Sequence, residues 1–95
     1  MPLFIRLARL TEKAHQNIQN MENMLAEAKQ IMEENGARIL QAYVTLGDYD
    51  VIAVMEAPDE KTAAKISALI ANKGNFRAET LAAIPLNEFI KSLKS

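Results

Sequence analysis

Val51-Ile52-Ala53-Val54-Met55 is apolar at both parities of a strand, and this run constrains the fold more than any other stretch. A strand with one solvated face alternates apolar and polar residues; an unbroken apolar run expects cover on both faces. Just before it come Gly47 and Asp48, both turn formers. Before them Arg38–Thr45 alternates, with Leu40, Ala42 and Val44 on one face and Gln41, Tyr43 and Thr45 on the other. The two runs read as a hairpin. Its strands are Arg38–Thr45 and Tyr49–Glu56, joined through Leu46-Gly47-Asp48-Tyr49.

The rest of the chain supplies what that hairpin needs. Leu3–Leu10 alternates as a strand, with Leu3, Ile5 and Leu7 on one side and Phe4, Arg6 and Ala8 on the other. The expectation is that Leu3, Ile5 and Leu7 meet the helices, and that Arg6 lies with Phe4 and Ala8 on the sheet's second face. Thr11 offers a helix N-cap. Ala14, Ile18, Met21, Leu25, Ala28 and Met32 follow at spacings of three and four, ending at Asn35-Gly36. Asn17, Gln19, Asn20 and Asn23 are weak helix formers, so a break near Asn20 is open. Pro58 stops the third strand and Asp59 caps a second helix with Ala63, Ile66, Leu69 and Ile70 on its apolar stripe, ended by Gly74. Asn75–Ala83 is a fourth strand. Leu86–Leu93 is a short helix with Leu86, Phe89, Ile90 and Leu93 on one stripe, whose apolar side has to dock on something.

The order is βαββαβ plus a tail helix. It predicts an α+β, ferredoxin-like fold: a four-stranded antiparallel sheet with two helices on one face and a short C-terminal helix. Residues 1–95 read as one domain. One bare sheet face remains, and it carries at least two apolar residues of the third strand whichever parity turns outward. A patch of that kind is costly in a monomer. A second copy packed sheet to sheet, giving a dimeric α+β barrel, removes it.

Composition excludes several functions. The 95 residues carry 11 Lys and Arg against 12 Asp and Glu, a net charge of −1, with no basic block. That charge balance, with few aromatics, gives no reason to expect nucleic acid or an anionic membrane as partner. Absence of cysteine excludes disulfides, thiolate metal sites and cysteine nucleophiles, and suits a cytoplasmic setting. No apolar stretch approaches a membrane span, and Met1–Arg6 makes a poor signal peptide.

The string Leu46-Gly47-Asp48-Tyr49-Asp50-Val51-Ile52 resembles the signature of the GYD-domain family. Leu10-Thr11-Glu12, Asn17-Ile18, Glu56-Ala57-Pro58-Asp59, Gly74 to Leu81 and Glu88-Phe89 are similar to its flanking features at similar spacing. The resemblance runs over nearly the whole chain. It implies a ferredoxin-like fold of the dimeric α+β barrel type, found mostly in prokaryotes, and implies no activity. Members often carry a proline-containing break in the first helix where this chain has Asn20-Met21.

Six residues are candidates for binding a ligand: Arg6, Tyr43, Tyr49, Asp50, Arg77 and Glu79. Arg6 or Arg77 suits bidentate capture of an anion in a cavity between sheet and helices or between subunits. The blander alternative makes Arg77 and Glu79 an interfacial salt bridge, Asp50 a turn cap and Tyr49 a packing ring. Tyr49 and Asp50 are consecutive on a strand, which points them to opposite faces and against a joint acid–base pair. His15, the only histidine, is expected at the surface; no metal cluster, catalytic triad, phosphate loop or cofactor site is expected. The chain thus reads as a self-associating, non-enzymatic module that binds a small molecule or regulates. The alternatives are a cofactor-independent monooxygenase-like enzyme of the same fold, or a purely structural oligomer.

Overall fold

Thr11 settles where the first strand ends. In the computed structural model, which describes residues 1–94, its side chain accepts from the Ala14 amide and donates to the Gly74 carbonyl at 2.6 Å, while its own amide donates to the Asn75 carbonyl. The strand before it, β1 (Leu3–Leu10), is thereby tied to the start of β4 (Phe76–Ala83). Between them run α1 (Glu12–Gln16), α2 (Met21–Glu34), β2 (Arg38–Val44), β3 (Val51–Glu56) and α3 (Glu60–Asn72); α4 (Leu86–Ser92) follows β4. The sheet is antiparallel in the order β2-β3-β1-β4, the ferredoxin-like arrangement expected.

The first helix is broken. α1 stops at Asn17, whose φ of −127° leaves the helical region, and a 3₁₀ turn over Ile18–Asn20 leads into α2. Asparagine side chains compete for backbone partners and favour such interruptions. Asp59 accepts the Thr62 amide at 2.7 Å and caps α3, and hydrogen bonding to Thr62 holds its carboxyl below the ordinary value.

Strand register decides which residues form the core. Phe4 lies opposite Met55 and Ala82, Arg6 opposite Ala53 and Thr80, and Ala8 opposite Val51 and Ala78. Phe4, Ala8, Val51 and Met55 are buried against Met24, Ala28 and Met32 of α2 and Ile66 and Ile70 of α3. The expected parity of β1 is therefore reversed: Phe4, Arg6 and Ala8 face the helices, and Leu3, Ile5 and Leu7 face away. Both parities of β1 are apolar enough for a core, so the local pattern leaves the choice to long-range pairing.

Three smaller corrections follow from geometry. A bulge in β2 pairs Ile39 with Met55 and Gln41 with Val54, so Ile39 rather than Leu40 packs on the core. β3 begins at Val51, not Tyr49. The Thr45 amide donates to the Asp50 carbonyl at 2.9 Å and closes the four-residue loop Leu46–Tyr49, in which Gly47 takes a φ of +105°. Leu69, expected on the α3 stripe, is exposed.

α4 does not fold back. Leu86, Phe89, Ile90 and Leu93 are all exposed, Leu86 at 70%. The radius of gyration is 14.3 Å, against about 12 Å for a compact chain of this length. No helix among the described residues is long and apolar enough to cross a membrane.

Met55 is fully buried, and Leu46 at the hairpin tip is fully exposed. Met55→Ala is expected to destabilise the fold by about 2–5 kcal/mol in chemical denaturation. Leu46→Ala should stay within about 0.5 kcal/mol of wild type, so equal costs for the two would contradict this core.

Candidate functional site

The sheet face turned away from the helices carries cross-strand rows. Leu3 lies between Glu56 and Ala83, Ile5 between Val54 and Leu81, and Leu7 between Ile52 and Glu79. β2 extends the last two rows with Gln41 and Tyr43. The middle of the face is thus aliphatic, and the charges stand at its ends. At one end Arg38 pairs with Glu56. At the other, Arg9 and Arg77 are direct cross-strand neighbours.

The hairpin loop closes over that second end. The Tyr49 hydroxyl donates to Glu79 Oε2 at 3.0 Å, and the Arg9 guanidinium lies 5.1 Å from the centre of the Tyr49 ring. Arg9 Nε donates to the Asp48 carbonyl at 2.7 Å. Asp50 turns elsewhere: its Oδ2 accepts the Leu10 amide at 2.8 Å, and its own amide donates to the Ala8 carbonyl. Glycine, tyrosine and aspartate therefore have separate jobs. Gly47 permits the turn, Tyr49 reaches β4, and Asp50 stitches the loop to the end of β1. The exposed His15 lies 3.9 Å from Asp50 Oδ2. Among the described residues, no three His, Cys, Asp or Glu side chains are grouped as a metal site would need.

Arg6 is on the other side of the sheet. It is 5% exposed, and Nη1 donates to Ser67 Oγ at 2.8 Å and to Thr80 Oγ1 at 3.2 Å. The two hydroxyls are 2.7 Å apart. No carboxylate among the described residues pairs with the guanidinium. Burial lowers its pKa from the ordinary guanidinium value. Its cross-strand neighbours Ala53 and Thr80, with Ala42 beyond, leave room for the long side chain. Arg6 borders a small cavity of about 40 Å³ shared with Ala28, Met32, Ala53 and Ile70. Ser67 and Thr80 line a larger groove of about 350 Å³ between α3 and β4.

The six candidate residues are therefore not gathered at one place. Tyr49 and Glu79 are brought together on the outer face with Arg77 nearby; Tyr43 is further along on β2, bonded to Gln41. Asp50 lies at the end of β1, and Arg6 is alone between the layers. Sequence reasoning missed Arg9, the partner of Tyr49, and missed Ser67 and Thr80, the partners of Arg6. Thr80 shares parity with Phe76 and Ala78 on β4, so the correct parity of β1 was the one signal needed to find it.

The Tyr49 phenol is raised above its ordinary pKa of 10.0, first by its hydrogen bond to Glu79. In a Tyr43→Phe background, ultraviolet titration should show Tyr49 ionising above the free-tyrosine value. Glu79→Gln should lower that midpoint, and an unchanged midpoint would remove Glu79 as the cause.

Comparison with known proteins matches this geometry to relatives. The model of the GYD domain family matches residues 4–93. The chain is 35% identical over 95 residues to the glutamine synthetase and cystathionine beta-lyase binding protein of Thermus thermophilus, covering 99% of this chain and 100% of that one. Among solved structures, 5-chloro-2-hydroxyhydroquinone dehydrochlorinase of Burkholderia phenoliruptrix is similar with a TM-score of 0.62 at 16% identity, over 90% of this chain and 97% of that one. The protein FFRP-DM1 is similar with a TM-score of 0.60 at 23% identity, over 88% of this chain and 100% of that one. These two likenesses concern the fold. The family match and the full-length relative go further: the chain belongs to the GYD domain family.

Proposed function

We propose that the chain is a self-associating, non-enzymatic binding module that holds a small molecule between its sheet and its helices. The observation that carries the reading is Arg6, a guanidinium 5% exposed whose only side-chain partners among the described residues are two hydroxyls. A buried charge without a counter-ion costs several kcal/mol, on the order of what a small domain can spare. An anionic guest supplies the missing charge. The surroundings of Arg6 favour binding over a monooxygenase-like reaction. The two hydroxyls beside it are bonded to the guanidinium and to each other, and no histidine or carboxylate among the described residues is bonded to either as a base.

Self-association is supported by the outer sheet face. Its Val54–Ile5–Leu81 row is aliphatic and only partly covered within one chain. A second copy packed across it removes this surface from water, as the hydrophobic effect favours. Lack of cysteine suits such a module to the cytoplasm.

A second reading, docking onto metabolic enzymes, rests on the full-length relative at 35% identity, whose name describes binding to two enzymes.

Light scattering at micromolar concentration should give at least twice the subunit mass. Val54→Glu, in the centre of the face, should give a folded monomer; a monomeric wild type would contradict self-association. Native mass spectrometry of protein purified from its own host should show a retained small molecule on the subunits. Bare subunits in every preparation would contradict the ligand reading.

A further inference from the structure

Resting on the reading of Arg6 as a ligand site, we infer that the groove between α3 and β4 takes a small monocarboxylate with a neutral apolar body. Its head would lie at the Ser67 and Thr80 hydroxyls. Nη1 of Arg6 has two protons, and both are used, one on each hydroxyl oxygen. The hydroxyls are 2.7 Å apart and share one proton between them. One hydroxyl proton is left without an acceptor among the described residues. It is polarised by the adjacent cation, which makes it a stronger donor.

The rest of Arg6 is similarly uncommitted. No hydrogen bond from Nε or Nη2 joins those of Nη1. Yet no side-chain nitrogen or oxygen among the described residues is both fully buried and unpartnered. Nε and Nη2 therefore retain contact with open space. The site is a cation behind a pair of hydroxyls, short of one negative charge.

The shape of the groove selects what carries that charge. Ala63, Ala64, Ala78 and Ala82 wall it, with Phe4 at its base, so small side chains create the space. At about 350 Å³ it lies near the lower end of ligand pockets. Glu60 is the one carboxylate that lines it, and Glu60 precedes Ser67 by two turns of α3, about 10 Å along the axis. A negative charge is thus favoured at the Ser67–Thr80 end and opposed at the Glu60 end. A monocarboxylate with an uncharged tail satisfies both ends, whereas a dicarboxylate lying along the groove does not.

The test is an NMR titration of the intact chain with butyrate and benzoate, set against butyramide, benzamide, succinate and inorganic phosphate. The monocarboxylates should shift the amide signals of Ser67, Ala78 and Thr80 saturably, and the matched amides should bind about tenfold more weakly or worse. Ser67→Ala and Thr80→Val should each weaken butyrate about tenfold. If either variant misfolds, the acid–amide comparison on wild-type protein still decides. Equal affinity for acid and amide, preference for phosphate or succinate, or no saturable shift overturns the carboxylate assignment. A different anion retained by host-purified protein, such as a phosphate or a dicarboxylate, also overturns it while leaving the ligand reading intact; bare host protein removes that reading too.

Discussion

A positive charge buried on the inner face of the central strand β1 is the constraint around which the two layers are arranged. Arg6 displaces what would otherwise be the middle of the apolar core, between Phe4 and Ala8. Alanines opposite it make room, and Ser67 from α3 with Thr80 from β4 supply acceptors. Those two partners come from elements that meet only when the fold is complete. The polar cluster therefore links the sheet to α3 by hydrogen bonds. A hydrophobic residue at this position would be simpler to bury. The proposed binding role gives that charge a use.

The hairpin motif serves the same arrangement from the other side of the sheet. Asp50 accepts the Leu10 amide and donates its own amide to Ala8, fixing the register of β1 against β3. That register puts Phe4, Arg6 and Ala8 inward. Tyr49 reaches across to Glu79 and steadies β4, which also carries Thr80. The string that names the family is thus a clip that sets the parity of β1 and holds β4 in place. Its Tyr and Asp have different partners.

Much of this was legible from the chain. Alternation located the strands, Thr11 and Asp59 marked helix starts, and the run of asparagines left room for the break that lies at Asn17. The direction faced by β1 was not legible. Leu3, Ile5 and Leu7 are all aliphatic, whereas the other parity carries the charge of Arg6, so that charge pointed the strand the wrong way. Those aliphatic residues make the outer rows instead, on a face one chain alone leaves open. The partners of Arg6 are 61 and 74 residues away, beyond the reach of any local pattern. The bulge at Leu40 was hidden for a related reason, because it is set by pairing with β3 rather than by the residues of β2. Tyr49 and Glu79 were both singled out by sequence, but their contact depends on the loop folding over the sheet end.

The central claim is that Arg6 lacks a counter-charge within the protein and receives one from a small ligand. A crystal structure of the assembled protein isolated from its host tests it most directly. The account predicts density for an anionic group within about 3 Å of the Ser67 or Thr80 hydroxyl, or of the free nitrogens of Arg6. A carboxylate from a second copy of the chain in that place, or a groove holding only water, would contradict it.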